Sequence, residues 1–264
     1  MFNCLDSVLR ATPALPVLAA VGLLLAGCGG ARQSSEPVRV AVAANFTATQ
    51  EKLASTFTEQ TGIALESSFG ASGALYSQIA NGAPFQVFLS ADSERPERLE
   101  KEGLVSGEPF TYALGALALY VPGGVPQGDG EELLKAGACP HLAICKPELA
   151  PYGLAARQTL EKLGLWESIQ PKLVQGDNVT QTFQFVETGN AEAGLVALSQ
   201  VLDRPAEQMW RVPGDLHDPI RQDAVLLKNG EGNPGAEAFA TFLKGPEARA
   251  IIAAGGYTLP GGAE

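Results

Sequence analysis

From Val38 onward, short β-branched runs and stretches with helical spacing take turns along the chain, and this alternation restricts it to an α/β architecture. The segment VRVAVAANFTATQEKLASTF (38–57) sets the pattern. Val38, Val40 and Val42 read as a strand; beyond Asn45, Phe46, Leu53, Ala54 and Phe57 take up helical spacing. The same switch predicts strands at 38–43, 63–69, 85–90, 112–121, 141–145, 172–176, 193–198, 208–212 and 220–228. Helices are predicted at 46–60, 73–81, 94–102, 131–136, 153–163, 179–188, 234–243 and 246–254. Gly62, Gly82, Gly164 and Gly189 stand just past four of them, where a left-handed cap is needed. Such an order suits an α/β chain of parallel-sheet type.

Two runs are longer than an ordinary strand: FTYALGALALYVP (110–122) and DPIRQDAVLLKNG (218–230). Read as passages between lobes, they predict one lobe from 38–112 plus 218–264 and a second from 113–217. A chain crossing twice leaves a cleft between lobes, where open α/β sheets usually bind ligands.

The first residues follow a different logic. ALPVLAAVGLLLA (14–26) is mostly apolar behind a lone Arg10, too short to span a bilayer and the right length for a secretory signal. It runs into Leu25-Ala26-Gly27-Cys28, which looks like a bacterial lipobox. Residues 1–27 are therefore expected to be a lipoprotein signal peptide, Cys28 the lipidated residue and 28–37 a flexible tether. A plain secretory signal with a chance cysteine is the other reading. Either places the mature protein in the periplasm or otherwise outside the cytoplasm, the lipobox adding an anchor in a bacterial membrane.

Several chemistries are disfavoured. A formal charge of −11 argues against nucleic acid or an anionic membrane surface as partner. There is no GxGxxG opening a helix, no GxxxxGK[ST] and no GxSxG. His141 and His217 are the only histidines and lie far apart, so a zinc site is not expected. His141 is read as a packed core residue, and Asp92 and Asp177 as caps of the helices that follow them. The five tyrosines (76, 112, 120, 152, 257) are scattered in sequence, unlike a ferric site. Cys139 and Cys145 flank a predicted strand and read as buried free thiols; a bridge would need Pro140 to fold the segment back.

What remains is a set of helix starts of one kind. One follows Asn45, one opens near Ser72 after small residues, one near Tyr152-Gly153 behind Pro151, and one near Val179. Each leaves backbone N–H groups without partners and carries about half a positive charge. Converging on one cleft, they would clasp an anion by neutral donors, with side-chain hydrogen bonds from Asn45, Ser72 and the Tyr152 hydroxyl. A fully ionised oxyanion, which offers only acceptors, suits such a shell. A carboxylate ligand usually takes an Arg fork instead.

The segments VAVAANF, SSFGASGALYSQIANGAPFQVFLSAD, HLAICKPELAPYG, LEKLGLW, GDNV, AGLVALSQ and FLKGPEARAIIAAGGYTLP, in this order over about residues 37–260, resemble the periplasmic molybdate-binding proteins of ABC transporters. The resemblance implies the two-lobed periplasmic binding protein fold of type II, with two chain crossings and a ligand cleft between lobes. It implies capture of molybdate, and usually tungstate, for delivery to a membrane permease, with no cofactor and no catalytic role, by a monomer. By position it places the family's first anion loop on Ala44 and Asn45 and the second on Ser72, through both hydroxyl and N–H. The third falls on Tyr152 and the fourth on the Val179 backbone. Some relatives supply a tyrosine hydroxyl where this chain has Ala197; Tyr152 is expected to take that part. A binder of sulfate or phosphate, or an enzyme or sensor domain on the same fold, are the alternatives.

Overall fold

A computed structural model describes residues 36–126 and 129–261. The expected signal peptide, Cys28 and most of the tether lie outside these residues. Strand β1 (Val38–Ala43) passes through a single 3-10 turn, Ala44–Phe46, into helix α1 (Thr47–Thr61). Then follow β2 (Leu65–Gly70), α2 (Ser72–Ala80), β3 (Val87–Leu89), α3 (Glu94–Lys101) and β4 (Phe110–Gly115). The second lobe is built on β5 (Leu117–Tyr120), α4 (Gly130–Lys135), β6 (Leu142–Cys145) and α5 (Pro151–Lys162). It continues through the one-turn α6 (Trp166–Ile169), β7 (Leu173–Gly176), α7 (Val179–Glu187), β8 (Ala193–Ala197) and β9 (Met209–Arg211). The chain ends with β10 (Ile220–Leu226), α8 (Pro234–Phe242) and α9 (Pro246–Ala254). Gly62 takes φ 75° at the end of α1, a conformation that favours a residue without Cβ.

The strands form two five-stranded sheets, ordered β2-β1-β3-β10-β4 and β7-β6-β8-β5-β9. Both are mixed, not purely parallel. β1 pairs in parallel with β2 and β3, and β6 with β7 and β8, whereas β10 and β5 run antiparallel to their neighbours. The reversal follows from the crossings. Parallel strands deliver their C-terminal ends to the cleft, so a strand arriving from the other lobe enters its sheet at that end and runs backwards. The expected single strand at 112–121 is accordingly two: β4 completes the first sheet at Gly115, and after Ala116, β5 opens in the second.

Val38, Val40, Val42, Phe46, Leu53 and Phe57 are all essentially buried, in a core shared with Phe239 of α8 and Ile252 of α9. The C-terminal helices thus cover the first sheet. Ala43, Ala44, Ala71 and Ala91, at the ends of first-lobe strands and loops, pack instead with the second-lobe core around Tyr152, Val179 and Ala197. Small side chains there let backbone from the two lobes come together.

Two expectations are corrected. His141 is exposed, because strand pairing begins one residue later at Leu142; its N–H donates to the Glu192 carboxylate at 2.8 Å. Asp177 does not cap α7. Asn178 does, its Oδ1 accepting from Gln181 N–H at 3.0 Å, while Asp177 takes Lys146 Nζ at 2.6 Å. The N-cap position of α3 is Ser93, and Asp92, one residue before it, accepts the Arg95 N–H of the first turn at 3.0 Å. Cys139 and Cys145 are buried free thiols, and burial pushes the Cys145 pKa up to about 12.

Candidate functional site

The four predicted helix starts meet around one small cavity. Ala44 and Asn45 reach it from the turn after β1, Ser72 from the start of α2, Tyr152 from the start of α5 and Val179 from the start of α7. All five lie in its lining, and no residue of that lining is charged. The cavity is small, which suits a compact ion better than a metabolite.

Local sequence explains why each start is open. Ser72 and Val179 are the first residues of their helices and Tyr152 the second, so their N–H groups precede the intrahelical ladder. Pro151 opens α5 with no N–H of its own and leaves Tyr152 as its first donor. Among the described residues, the N–H groups of Asn45, Ser72, Tyr152 and Val179 donate to no backbone carbonyl. α7 is capped by Asn178 at the N–H of Gln181, two residues further in, so capping leaves the Val179 donor unused.

The side chains divide into those that face an anion and those that hold the wall. Ser72 Oγ accepts the Ala91 N–H at 2.9 Å, which leaves its own proton to donate. Asn45 differs from expectation. Its two amide hydrogens go to Gln222 Oε1 at 2.9 Å and to the Tyr257 hydroxyl at 3.1 Å, so what it can offer the cavity is its backbone N–H. The Tyr152 hydroxyl, in a residue only 2 % exposed, accepts Gln222 Nε2 at 3.3 Å. A Cβ at Gly115 would overlap that hydroxyl and come within 2.6 Å of Gln222 Nε2, so the crossing point itself must be glycine. Arg95, whose guanidinium lies beside Gly73 at the start of α2, is paired with Asp92 and also donates to the Glu148 carbonyl at 3.3 Å.

Three tyrosines that look scattered in sequence converge behind the cavity. Tyr112 donates toward the Ser90 carbonyl and Gln222 Oε1, each at 3.1 Å, and Tyr257 toward the Asn45 carbonyl at 2.8 Å. The Phe46 ring meets Tyr112 and Tyr257 edge-on, with centroids 4.9 and 5.1 Å away. Burial, first among the causes, raises the pKa of Tyr112, Tyr152 and Tyr257 above the ordinary tyrosine value. Gln222, Tyr112, Tyr257, Ser199 and Gly115 were missed as site residues. The polar Gln222-Asp223 pair inside the apolar crossing run was the one signal in the sequence.

A double-sheet α/β molecule whose cleft gathers helix starts has the architecture of a binding protein for small solutes. The chain belongs to the bacterial extracellular solute-binding proteins, whose family model matches residues 38–258. It is 52 % identical to the molybdate-binding protein ModA of Azotobacter vinelandii, over 92 % of this chain and 97 % of that protein. With ModA of Rhodobacter capsulatus it shares 47 % identity, over 83 % of this chain and 87 % of the relative. The solved periplasmic molybdate-binding protein of Azotobacter vinelandii superposes with a TM-score of 0.80 at 40 % identity, covering 84 % of this chain and 99 % of that one.

The buried phenols make alkaline stability a direct test of the wall behind the cavity. Folded, the three tyrosines keep protons that the unfolded chain releases above about pH 10, so their stabilisation is complete below that pH and is lost as pH rises beyond it. The urea midpoint should hold up to about pH 9.5 and fall steeply toward pH 11.5, with Tyr112→Phe shallower than the parent. Parallel slopes for parent and variant would mean that Tyr112 is not a buried phenol.

Proposed function

We propose that this protein captures molybdate, and tungstate with it, outside the bacterial cytoplasm and hands it to the permease of an ABC transporter. The observation that carries the reading is the convergence of four uncommitted helix-start N–H groups and the Ser72 hydroxyl on one uncharged cavity. The groups offered by this reading, backbone N–H and the Ser72 hydroxyl proton, are donors, which matches an ion that is all acceptor at neutral pH. Ligands of this shell are Ala44, Asn45, Ser72, Tyr152 and Val179, each through backbone N–H, with Ser72 adding its hydroxyl. The shell binds the metal through its oxygens and needs no cofactor.

Size sets the preference. Donors fixed by two rigid sheets and four helices reach the oxygens of the larger metal oxyanions together, and cannot all reach the smaller sulfate. Phosphate is disfavoured because its proton finds no acceptor among these groups. The net charge of −11 repels a dianion at long range, so affinity arises from local contacts once water is expelled. Lipidation at Cys28 would hold the protein, as a monomer, beside its permease, and closure of the lobes on the ion would shape the surface that docks.

Thermal unfolding separates the ligand readings. Molybdate or tungstate at 100 times its dissociation constant should stabilise the fold by about 2.7 kcal/mol, with sulfate and phosphate at the same concentrations giving little. Equal shifts with sulfate would contradict the size argument, and no shift with any of the four would return the fold to an enzyme or sensor. Ser72→Ala should weaken molybdate binding by about 1–3 kcal/mol in calorimetry, through loss of a hydrogen bond to a charged group. Parental affinity in that variant would remove Ser72 from the shell.

A further inference from the structure

We propose that Thr180, which lies outside the cavity lining, is a positioning residue that aims the Asn45 donor at the anion and couples it to lobe closure; this rests on the oxyanion reading above. Thr180 follows Val179 at the start of α7, in the second lobe. Its hydroxyl crosses to the first lobe and donates to the Ala44 carbonyl at 3.2 Å. That carbonyl and the Asn45 N–H belong to one peptide unit, and a trans peptide points the two groups in opposite directions. Holding the carbonyl on one side therefore aims the N–H on the other.

The surroundings fit this division. Ala44 and Asn45 form a wall between the oxyanion cavity and a second pocket lined by Thr47, Thr180, Ser199 and Gln200. From that second side, each of two successive carbonyls receives one hydroxyl from its own lobe and one from the other. The Ala44 carbonyl takes Thr47 Oγ1 at 2.8 Å and Thr180 Oγ1; the Asn45 carbonyl takes Tyr257 at 2.8 Å and Ser199 Oγ at 3.0 Å. Gln200 Nε2 donates to Thr180 Oγ1 at 3.3 Å, while Gln200 Oε1 accepts the Ala197 N–H at 3.3 Å, so the threonine proton is directed at Ala44. Hydrogen bonds to a carbonyl also polarise the N–H of the same peptide and make it a stronger donor. The cross-lobe half of this arrangement exists only while the lobes are together. Thr180 thus strengthens the hold on the ion after closure without touching it.

Thr180→Val deletes the hydroxyl and keeps the branched shape, and Thr180→Ser restores the hydroxyl. Calorimetry with sodium molybdate and stopped-flow tryptophan fluorescence would compare both with the parent. Thr180→Val should bind about tenfold more weakly. The loss should fall on dissociation, with association and ligand-free melting temperature unchanged. Thr180→Ser should stay within about twofold of the parent, since it keeps the hydrogen bond. Parental affinity and dissociation in Thr180→Val would overturn the inference alone, as would a loss on association or a Thr180→Ser as weak as Thr180→Val. A parent that binds no molybdate would overturn the functional reading and this inference with it.

Discussion

Backbone N–H groups at the first turn of a helix have no acceptor within the helix, and burying them without one is costly. This protein brings four such starts to one gap, from the turn after β1 and from α2, α5 and α7, and lines the gap with uncharged residues. A dianion would satisfy those donors at once, in surroundings where partial charges act more strongly than in water. Lysine or arginine would add attraction but would equally welcome carboxylates and smaller anions. Under the proposed function, neutral donors fixed on rigid elements respond to the position of each oxygen, and this would be the source of selectivity.

The rest of the fold serves that convergence. Parallel strands aim their C-terminal ends at the cleft, so the helices that follow begin there; the reversed strands β5 and β10 carry the two crossings. Alanines at 43, 44, 71 and 91 let first-lobe backbone lie against the second-lobe core. Gly115 leaves room for the Tyr152 hydroxyl beside Gln222, a side chain that touches Asn45, Tyr112 and Tyr152 together. Polar groups behind the site are thereby satisfied by one another, and those in front keep their hydrogens for a ligand.

The features legible in the sequence are the local ones. Strand-to-helix switches, capping glycines and the openings at Ser72, Tyr152 and Val179 depend on neighbours a few residues away, and helix boundaries fall within about two residues of expectation. The wall behind the cavity depends on partners far apart in the chain. Asn45 meets Gln222 across 177 residues and Tyr257 across 212, and Thr180 meets Ala44 across 136. No spacing rule reaches that far, which is why Asn45 looked like a side-chain donor and the tyrosines looked scattered. His141 and Asp177 failed for a smaller reason: a shift of one residue at a strand or helix end reverses whether a side chain is packed or free.

The central claim is that uncharged donors alone hold the ion. A crystal structure of the protein loaded with molybdate, the metal located by its anomalous signal, tests it most directly. The account predicts the backbone nitrogens of Ala44, Asn45, Ser72, Tyr152 and Val179 and the Ser72 hydroxyl at about 2.7–3.2 Å from the four oxygens. An Arg95 or other cationic side chain turned in to touch the ion, or helix starts that leave its oxygens to water, would contradict it.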